Sequence, residues 1–196
     1  MVDARTRHDL DSHPGTRLRP VNWSKETDTV RRLFREYRQW LADHRGSDTA
    51  GGSGASAGLA LVDKLIDELP GAYGPPRGEV ILAFAEEALV ACGALRELQP
   101  GVGEIKRIYV RADHRGPGFG PRLTGALLRR ARALGYERVR VDTLSTMSGA
   151  VQFYQGMGFV PTTAYWPHPV PGALFFELTL GPQTAESRRI TVDRTK

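Results

Sequence analysis

Residues 104–136 read EIKRIYVRADHRGPGFGPRLTGALLRRARALGY, and this stretch decides the fold. Its first seven residues mix charged with apolar or aromatic side chains, as a strand does when its faces differ. Three glycines at alternate positions follow, Gly116, Gly118 and Gly120. Then Leu123, Leu127, Leu128, Ala131 and Leu134 place one apolar stripe on a helix, with Arg122, Arg129, Arg130 and Arg132 largely elsewhere and Gly135 as the cap. The first amides of a helix have no intrahelical partner and carry the positive end of its dipole, so an anion can collect several of them at once. Glycine lets the chain wrap closely enough for that. On these residues alone two readings stay open. Either the amides of roughly 115–122, helped by Arg115 and Arg122, cradle a pyrophosphate, or the glycines only make a pliable connection. A P-loop is excluded, because no Lys-Ser or Lys-Thr follows the glycines, and the dinucleotide spacing G-x-G-x-x-G is absent.

The flanking sequence supplies the rest of the fold. VILAFA at 80–85 and ALVACGALREL at 88–98 surround the acidic pair Glu86-Glu87 and read as a hairpin feeding the 104–110 strand. Between Glu26 and Asp43 the residues Val30, Leu33, Phe34, Tyr37, Trp40 and Leu41 recur at helical spacing, and their aromatic edge faces the core or borders a pocket. A strand is expected at 17–22 and a helix at 58–69, stopped by Pro70-Gly71. Downstream, VRVDTL is a strand at 139–144, a helix runs from about Ser148 to Gln155, and strands at about 159–164 and 173–180 close the chain. This order predicts an α/β (α+β) fold, a mixed central sheet flanked by helices, in one domain over 17–180. A polar arm at 1–16, a flexible loop or linker at 46–58 and a polar tail at 181–196 complete the plan.

Composition bounds the function. With 196 residues, 40% hydrophobic and 25% charged, the chain suits one globular core. The formal charge of +5 is spread along the chain and favours an anionic small ligand no less than nucleic acid. A leucine stripe behind the arginine-rich helix, without interleaved aromatics, makes that helix a solvated face, so no nucleic-acid partner is expected. Cys92 is the single cysteine, which rules out an intramolecular disulfide and suits a reducing compartment. The histidines are scattered, so no metal is expected. Neither a secretory signal in MVDARTRHDLDSH nor a membrane span is expected, which points to the cytoplasm and to no membrane partner.

The 104–136 stretch resembles the acetyl-CoA-dependent N-acetyltransferase (GNAT) superfamily, in its strand, its Arg-x-x-Gly-x-Gly turn and the helix after it. AVQFYQGMGFV at 150–160 resembles the family's A-x-x-F-Y-x-x-x-G-F close, and the likeness covers about 80–180. The turn LPGAYGPP and the segment AYWPHPVPGALFFEL at 164–178 resemble an uncharacterised bacterial branch of that superfamily. The resemblance implies acetyl-CoA as cosubstrate and an amine of a small molecule or peptide as acceptor, in a monomer or homodimer. It implies that Ile108, Tyr109 and Val110 hold the pantetheine arm and acyl carbonyl by their backbone edge, and that Arg115, Gly116, Pro117, Gly118, Phe119, Gly120 and Pro121 seat the pyrophosphate. It also implies a splayed strand between 104–110 and 139–144.

Tyr154 aligns with the tyrosine that commonly protonates the leaving thiolate, and a phenol with a reference pKa near 10 keeps its proton until a thiolate forms beside it. By its own pattern Tyr154 is equally a core aromatic beside Phe153. Many relatives carry an asparagine three residues before the alanine of the close. Here that position is Met147, and Ser148 beside it is either a substitute contact to the cofactor or a helix cap. Glu104 is the candidate base, or else a surface partner of Lys106 or Arg96, with Glu79 and Glu87 as weaker options. Arg96, Lys106 and Arg107 either bind an anion on the acceptor or are solvated, and Tyr73, Tyr165 and Trp166 either wall an acceptor pocket or pack against the domain. The competing reading is a catalytically weak acyl-CoA-binding regulatory protein of the same fold.

Overall fold

The computed structural model describes residues 15–44, 62–116, 118–166 and 171–181. The 46–58 loop and nearly all of the expected arm and tail lie outside them. In chain order the elements are β1 (Thr16–Pro20), α1 (Trp23–His44), a helical segment α2 at 62–67, β2 (Glu79–Ala85), β3 (Ala88–Gln99), β4 (Val102–Val110), α3 (Phe119–Ala133), β5 (Arg138–Leu144), α4 (Ser148–Gly156), β6 (Val160–Pro161) and β7 (Ala173–Thr179). They form one seven-stranded sheet ordered β1-β2-β3-β4-β5-β7-β6. All neighbours are antiparallel except the central pair β4 and β5.

Both faces of the sheet are covered, which is why VILAFA is apolar throughout rather than alternating. Ile81 and Ala83 face α3, joining Leu123, Leu127, Ile105 and Phe159. Val80, Leu82 and Phe84 face α1, joining Val30, Leu33, Phe34 and Tyr73. Helix α3 ends in a Schellman motif. The Tyr136 N–H donates to Ala131 O at 3.0 Å and the Gly135 N–H to Arg132 O at 3.0 Å, with Gly135 at φ 82° where a side chain would strain the backbone.

Three of the boundaries that differ from the sequence expectation have a local reason. Helix α1 starts at Trp23, ahead of Glu26, because Asn22 caps it: its Oδ1 accepts the Ser24 N–H at 3.2 Å, and its own N–H donates to Glu26 Oε2 at 2.8 Å. Strand β1 correspondingly ends at Pro20. The 159–164 strand shrinks to Val160–Pro161, since Pro161 has no N–H for the ladder and Thr162 makes only a last bond, to Phe175 O at 2.8 Å.

Arg19 fastens β1 to the start of α1 through two bonds to Glu26, at 2.8 and 2.6 Å. The Arg19 bonds, reinforced by the Asn22 amide, hold the Glu26 carboxyl down at about 2. A carboxyl with a depressed folded pKa stabilises the fold above its unfolded value of about 4.3 and loses that contribution as pH falls through about 2. Thermal melts of Glu26→Gln should therefore lie below wild type at pH 6 and converge with it progressively as pH drops from about 4.3 toward about 2. A constant offset across that range would show that the carboxylate charge is not what matters.

Candidate active site

The site begins where β4 stops behaving as a regular strand. Its pairing with β3 steps from Ala94↔Lys106 to Cys92↔Tyr109, so β4 carries one extra residue there. Arg107 takes it up at φ 58°, the left-handed region that costs a side-chain-bearing residue about 1–2 kcal/mol. A bulge re-aims side chains. Ile105 and Ile108 face α3, whereas the consecutive Lys106 and Arg107 both face α1 and the segment after β6.

On its other side β4 pairs with β5 only at Val102↔Arg138, Gly103↔Val139 and Glu104↔Arg140. Beyond Glu104 the two parallel strands part, and the β5-facing edge of residues 105–110 is left unpaired. A cavity of about 290 Å³ fills the gap. Its wall includes Tyr37, Trp40 and Leu41 of α1, Lys106, Arg107 and Ile108 of β4, Gly120 of α3, Asp142 and Thr143 of β5, and Met147, Phe153 and Tyr154 around α4. The aromatic edge of α1 thus divides its work: Val30, Leu33 and Phe34 are core, while Tyr37 and Trp40, one and two turns on, border the pocket.

The glycine turn opens beside this cavity. Gly116 and Gly118 adopt φ 110° and 76°, conformations that glycine takes without strain, and no atom lies within 4 Å of a Cβ placed at Gly116, Gly118 or Gly120. The donor set is smaller than residues 115–122 suggest. The Arg115, Gly118 and Arg122 amides are spent on Ala112, Gly116 and Gly118 carbonyls, and Pro121 has none, which leaves Phe119 and Gly120 as first-turn donors of the 15-residue α3. The Phe119 side chain points into the core. Arg115 lies over Trp40, 4.9 Å from the ring centre, and its Nε donates to Val110 O at 3.2 Å. Arg122 does not reach the turn; it is buried and donates to Thr16 Oγ1. Pro117 lies outside the described residues.

Tyr154 is buried on α4 and lines the cavity, with Phe153 and Phe159 at 5.2 and 5.5 Å. Burial pushes its phenol above the ordinary value, so it carries its proton at neutral pH. Tyr154 is therefore packed as a core aromatic and at the same time faces the pocket. Met147 is the residue before α4 and reaches the cavity, but the helix has no side-chain cap, and Ser148 is its exposed first residue. The expectation that Ser148 caps the helix is corrected, because the turn Leu144–Met147 places it one residue inside.

Glu104 is no surface residue. It has no exposure; its Oε2 accepts from Arg96 Nε at 2.7 Å, and its Oε1 lies 3.4 Å from Lys106 Nζ. Lys106 also donates to Asp142. Burial opposes the Lys106 charge, yet Asp142 and Glu104 together raise its pKa above the ordinary value. Glu104 stands behind the cavity wall, and among the described residues Asp142, which sequence reasoning passed over, is the carboxylate on it. Its only sequence signal was an acid inside the strand VRVDTL. Glu79 is bonded to Arg130 at 3.0 Å at the far end of the sheet, and Glu87 sits in the β2–β3 turn.

Of the three aromatics read as either acceptor wall or packing, none lines the cavity. Tyr73 is core, edge-on to Phe34 at 5.5 Å. Trp166 roofs Arg96 and Lys106, 4.9 and 5.1 Å from its centre, and Tyr165 lies under Arg140 at 5.3 Å.

This geometry, a bulged strand parting from its parallel neighbour beside a glycine turn, coincides with a match of residues 22–159 to the family described as Acetyltransferase (GNAT) family. The chain belongs to the GNAT family. An uncharacterized N-acetyltransferase of Schizosaccharomyces pombe is 34% identical over 110 residues, which is 55% of this chain and 68% of the yeast protein. The IAA acetyltransferase of Azospirillum brasilense is 30% identical over 102 residues, 51% of this chain and 67% of that protein. The PaiA N-acetyltransferase of Thermoplasma acidophilum, solved in complex with coenzyme A, superposes with TM-score 0.62 at 16% identity, covering 84% of this chain and 99% of that one. At that identity the likeness is one of fold, and it bears out the expected mixed sheet flanked by helices. The parting of β4 from β5, implied by the GNAT resemblance, is present in this chain.

Removing one partner of a buried ion pair leaves the other charge uncompensated. Glu104→Gln in this GNAT chain should cost about 3–5 kcal/mol in urea denaturation. A cost below about 1 kcal/mol, the range of exposed pairs, would mean that the Arg96–Glu104–Lys106 cluster is solvated rather than closed.

Proposed function

We propose that this chain transfers an acetyl group from acetyl-CoA to a primary amine of a small molecule or peptide by direct attack. The observation that carries the reading is the unpaired edge of β4, which runs from the glycine turn into a cavity faced by a protonated, buried Tyr154. The open surface over Gly116, Gly118 and Gly120 and the helix start behind it suit the pyrophosphate of a coenzyme A. Arg115 adds charge there, while the backbone of Ile108, Tyr109 and Val110 lines the path for the arm. Acetyl-CoA would supply the acetyl group as an activated thioester.

The residues then divide the chemistry. A backbone N–H on the free edge of β4 stabilises negative charge gathering on the acyl oxygen, in a site screened from water by Tyr37, Trp40 and Phe153. Tyr154 gives its phenolic proton to the departing sulfur; the raised pKa ensures that the proton is present when needed. The acceptor arrives as an ammonium and must lose two protons, one before attack and one from the nitrogen of the adduct, the second returning to Tyr154 after the sulfur has left. Lys106 and Arg107 on the wall disfavour a third positive charge, and Asp142 is the carboxylate within the cavity that takes the first proton. Glu104 holds Lys106 and Arg96 in place from behind.

Calorimetric titration with acetyl-CoA, followed by thiol release against a panel of amines, tests the reading. Binding without release for any amine would favour an acyl-CoA-binding regulator. In Tyr154→Phe, turnover should fall by about a hundredfold or more while acetyl-CoA affinity stays within about threefold. Unchanged turnover would remove Tyr154 from the proton step.

A further inference from the structure

Among the described residues that line the cavity the charges do not balance, and the surplus is Arg107. Arg96 and Lys106 are neutralised by Glu104 and Asp142, Arg111 binds both oxygens of Glu36 at 2.9 and 2.8 Å, and Arg140 holds Glu177 at 2.6 Å. Each acid that faces the site from α1, β4, β5 or β7 is therefore already taken. Among the described residues no carboxylate lies within ion-pair reach of Arg107. Its neighbour Cys92 does not serve, since burial pushes that thiol up to about 12 and it stays neutral while donating to Arg107 O at 3.7 Å.

Arg107 is nonetheless buried, with 6% of its surface exposed, and its Nε is enclosed without a hydrogen-bond partner. Its guanidinium stands 5.7 and 5.8 Å from the Phe34 and Tyr37 rings, which hold it over the pocket but accept no conventional hydrogen bond. A buried cation with an unmade bond is costly, and the bulge that places it there adds left-handed strain. An incoming anion would relieve the first of these costs.

We propose that Arg107 is a carboxylate-binding residue and that the acceptor is an amine that also carries a carboxylate. The inference rests on the acetyl-transfer reading for the amine, but the anion site follows from the burial and charge of Arg107 alone. A guanidinium fork matches a carboxylate with two parallel bonds, whereas Lys106, already shared between two carboxylates, has less to offer. With Asp142, shared with Lys106, on the same wall, the cavity presents a cation for the carboxylate and a hydrogen-bond acceptor for the amino group.

The test has a binding arm and a turnover arm. Calorimetry compares benzoate with benzyl alcohol on wild type, Arg107→Gln and Arg107→Lys. Thiol release compares L-phenylalanine with phenethylamine, L-leucine with 3-methylbutylamine, and 4-aminobutyrate with propylamine, and adds phosphoethanolamine as a different anion. Benzoate should bind wild type about tenfold or more tightly than benzyl alcohol, and Arg107→Gln should bring that ratio near one while Arg107→Lys keeps part of it. The carboxylated member of at least one pair should show a kcat/KM about tenfold or more above its partner, again lost in Arg107→Gln. Thermal melts check that both variants fold; if Arg107→Gln does not, Arg107→Lys must still weaken the benzoate preference. Equal binding of benzoate and benzyl alcohol, a preference that survives in Arg107→Gln, or a preference for phosphoethanolamine over every carboxylate would overturn the proposal. Arg107-dependent benzoate binding with no thiol release from any amine would keep the anion site and discard acetyl transfer. Release without any carboxylate preference would do the reverse.

Discussion

The end of β4–β5 pairing at Glu104, reinforced by the one-residue bulge at Arg107, is the constraint on which the site depends. Two parallel strands that stayed in register would satisfy each other's backbone and leave no space between them. A bulge bends and twists its strand. Here that deviation coincides with the parting from β5, so backbone groups along 105–110 face a cavity instead of a neighbour. The same extra residue puts Lys106 and Arg107 on one face. Regular alternation would have sent Arg107 toward the leucines of α3, where its charge would have had no place.

The buried polar cluster follows from that arrangement. Glu104, Arg96, Lys106 and Asp142 lie where the α1 face of the sheet is no longer covered by apolar helix, and Trp166 with Tyr165 closes over them. Such a cluster adds little net stability, because desolvation offsets much of the attraction. What it does is hold Asp142 and Lys106 at fixed positions on the cavity wall. Burial and the nearby Asp142 and Glu104 charges push the Tyr165 phenol up, which keeps it neutral within the cluster. Tyr154 is held neutral in the same way, chiefly by burial, on the side that lines the cavity.

How much of this was legible in the sequence varies with the range of the interaction. The strand, turn and helix of 104–136 were readable because hydrophobic period, glycine placement and the Gly135 cap are all local. The start of α1 was missed by three residues because Asn22 was not recognised as its cap. The Arg107 bulge left no mark, since arginine at positive φ has no sequence signature and the register shift exists only against β3. Asp142 was overlooked for a similar reason: one acid in a strand means nothing until Lys106 and the cavity are beside it. Glu104 was noticed for its charge, but its zero exposure depends on Arg96 and Lys106 folding over it from two strands.

By itself the sequence determined the order of elements, the glycine turn at the head of α3, the tyrosine of α4 and the family these resemble, because each rests on spacing within about one helix or strand. Only the tertiary structure decided which carboxylate reaches the cavity and that Arg107, among the described residues lining it, is the cation without a carboxylate partner. Those outcomes depend on strand register and on how neighbouring charges are shared. Both are set by residues far apart in the chain that meet only when the sheet closes.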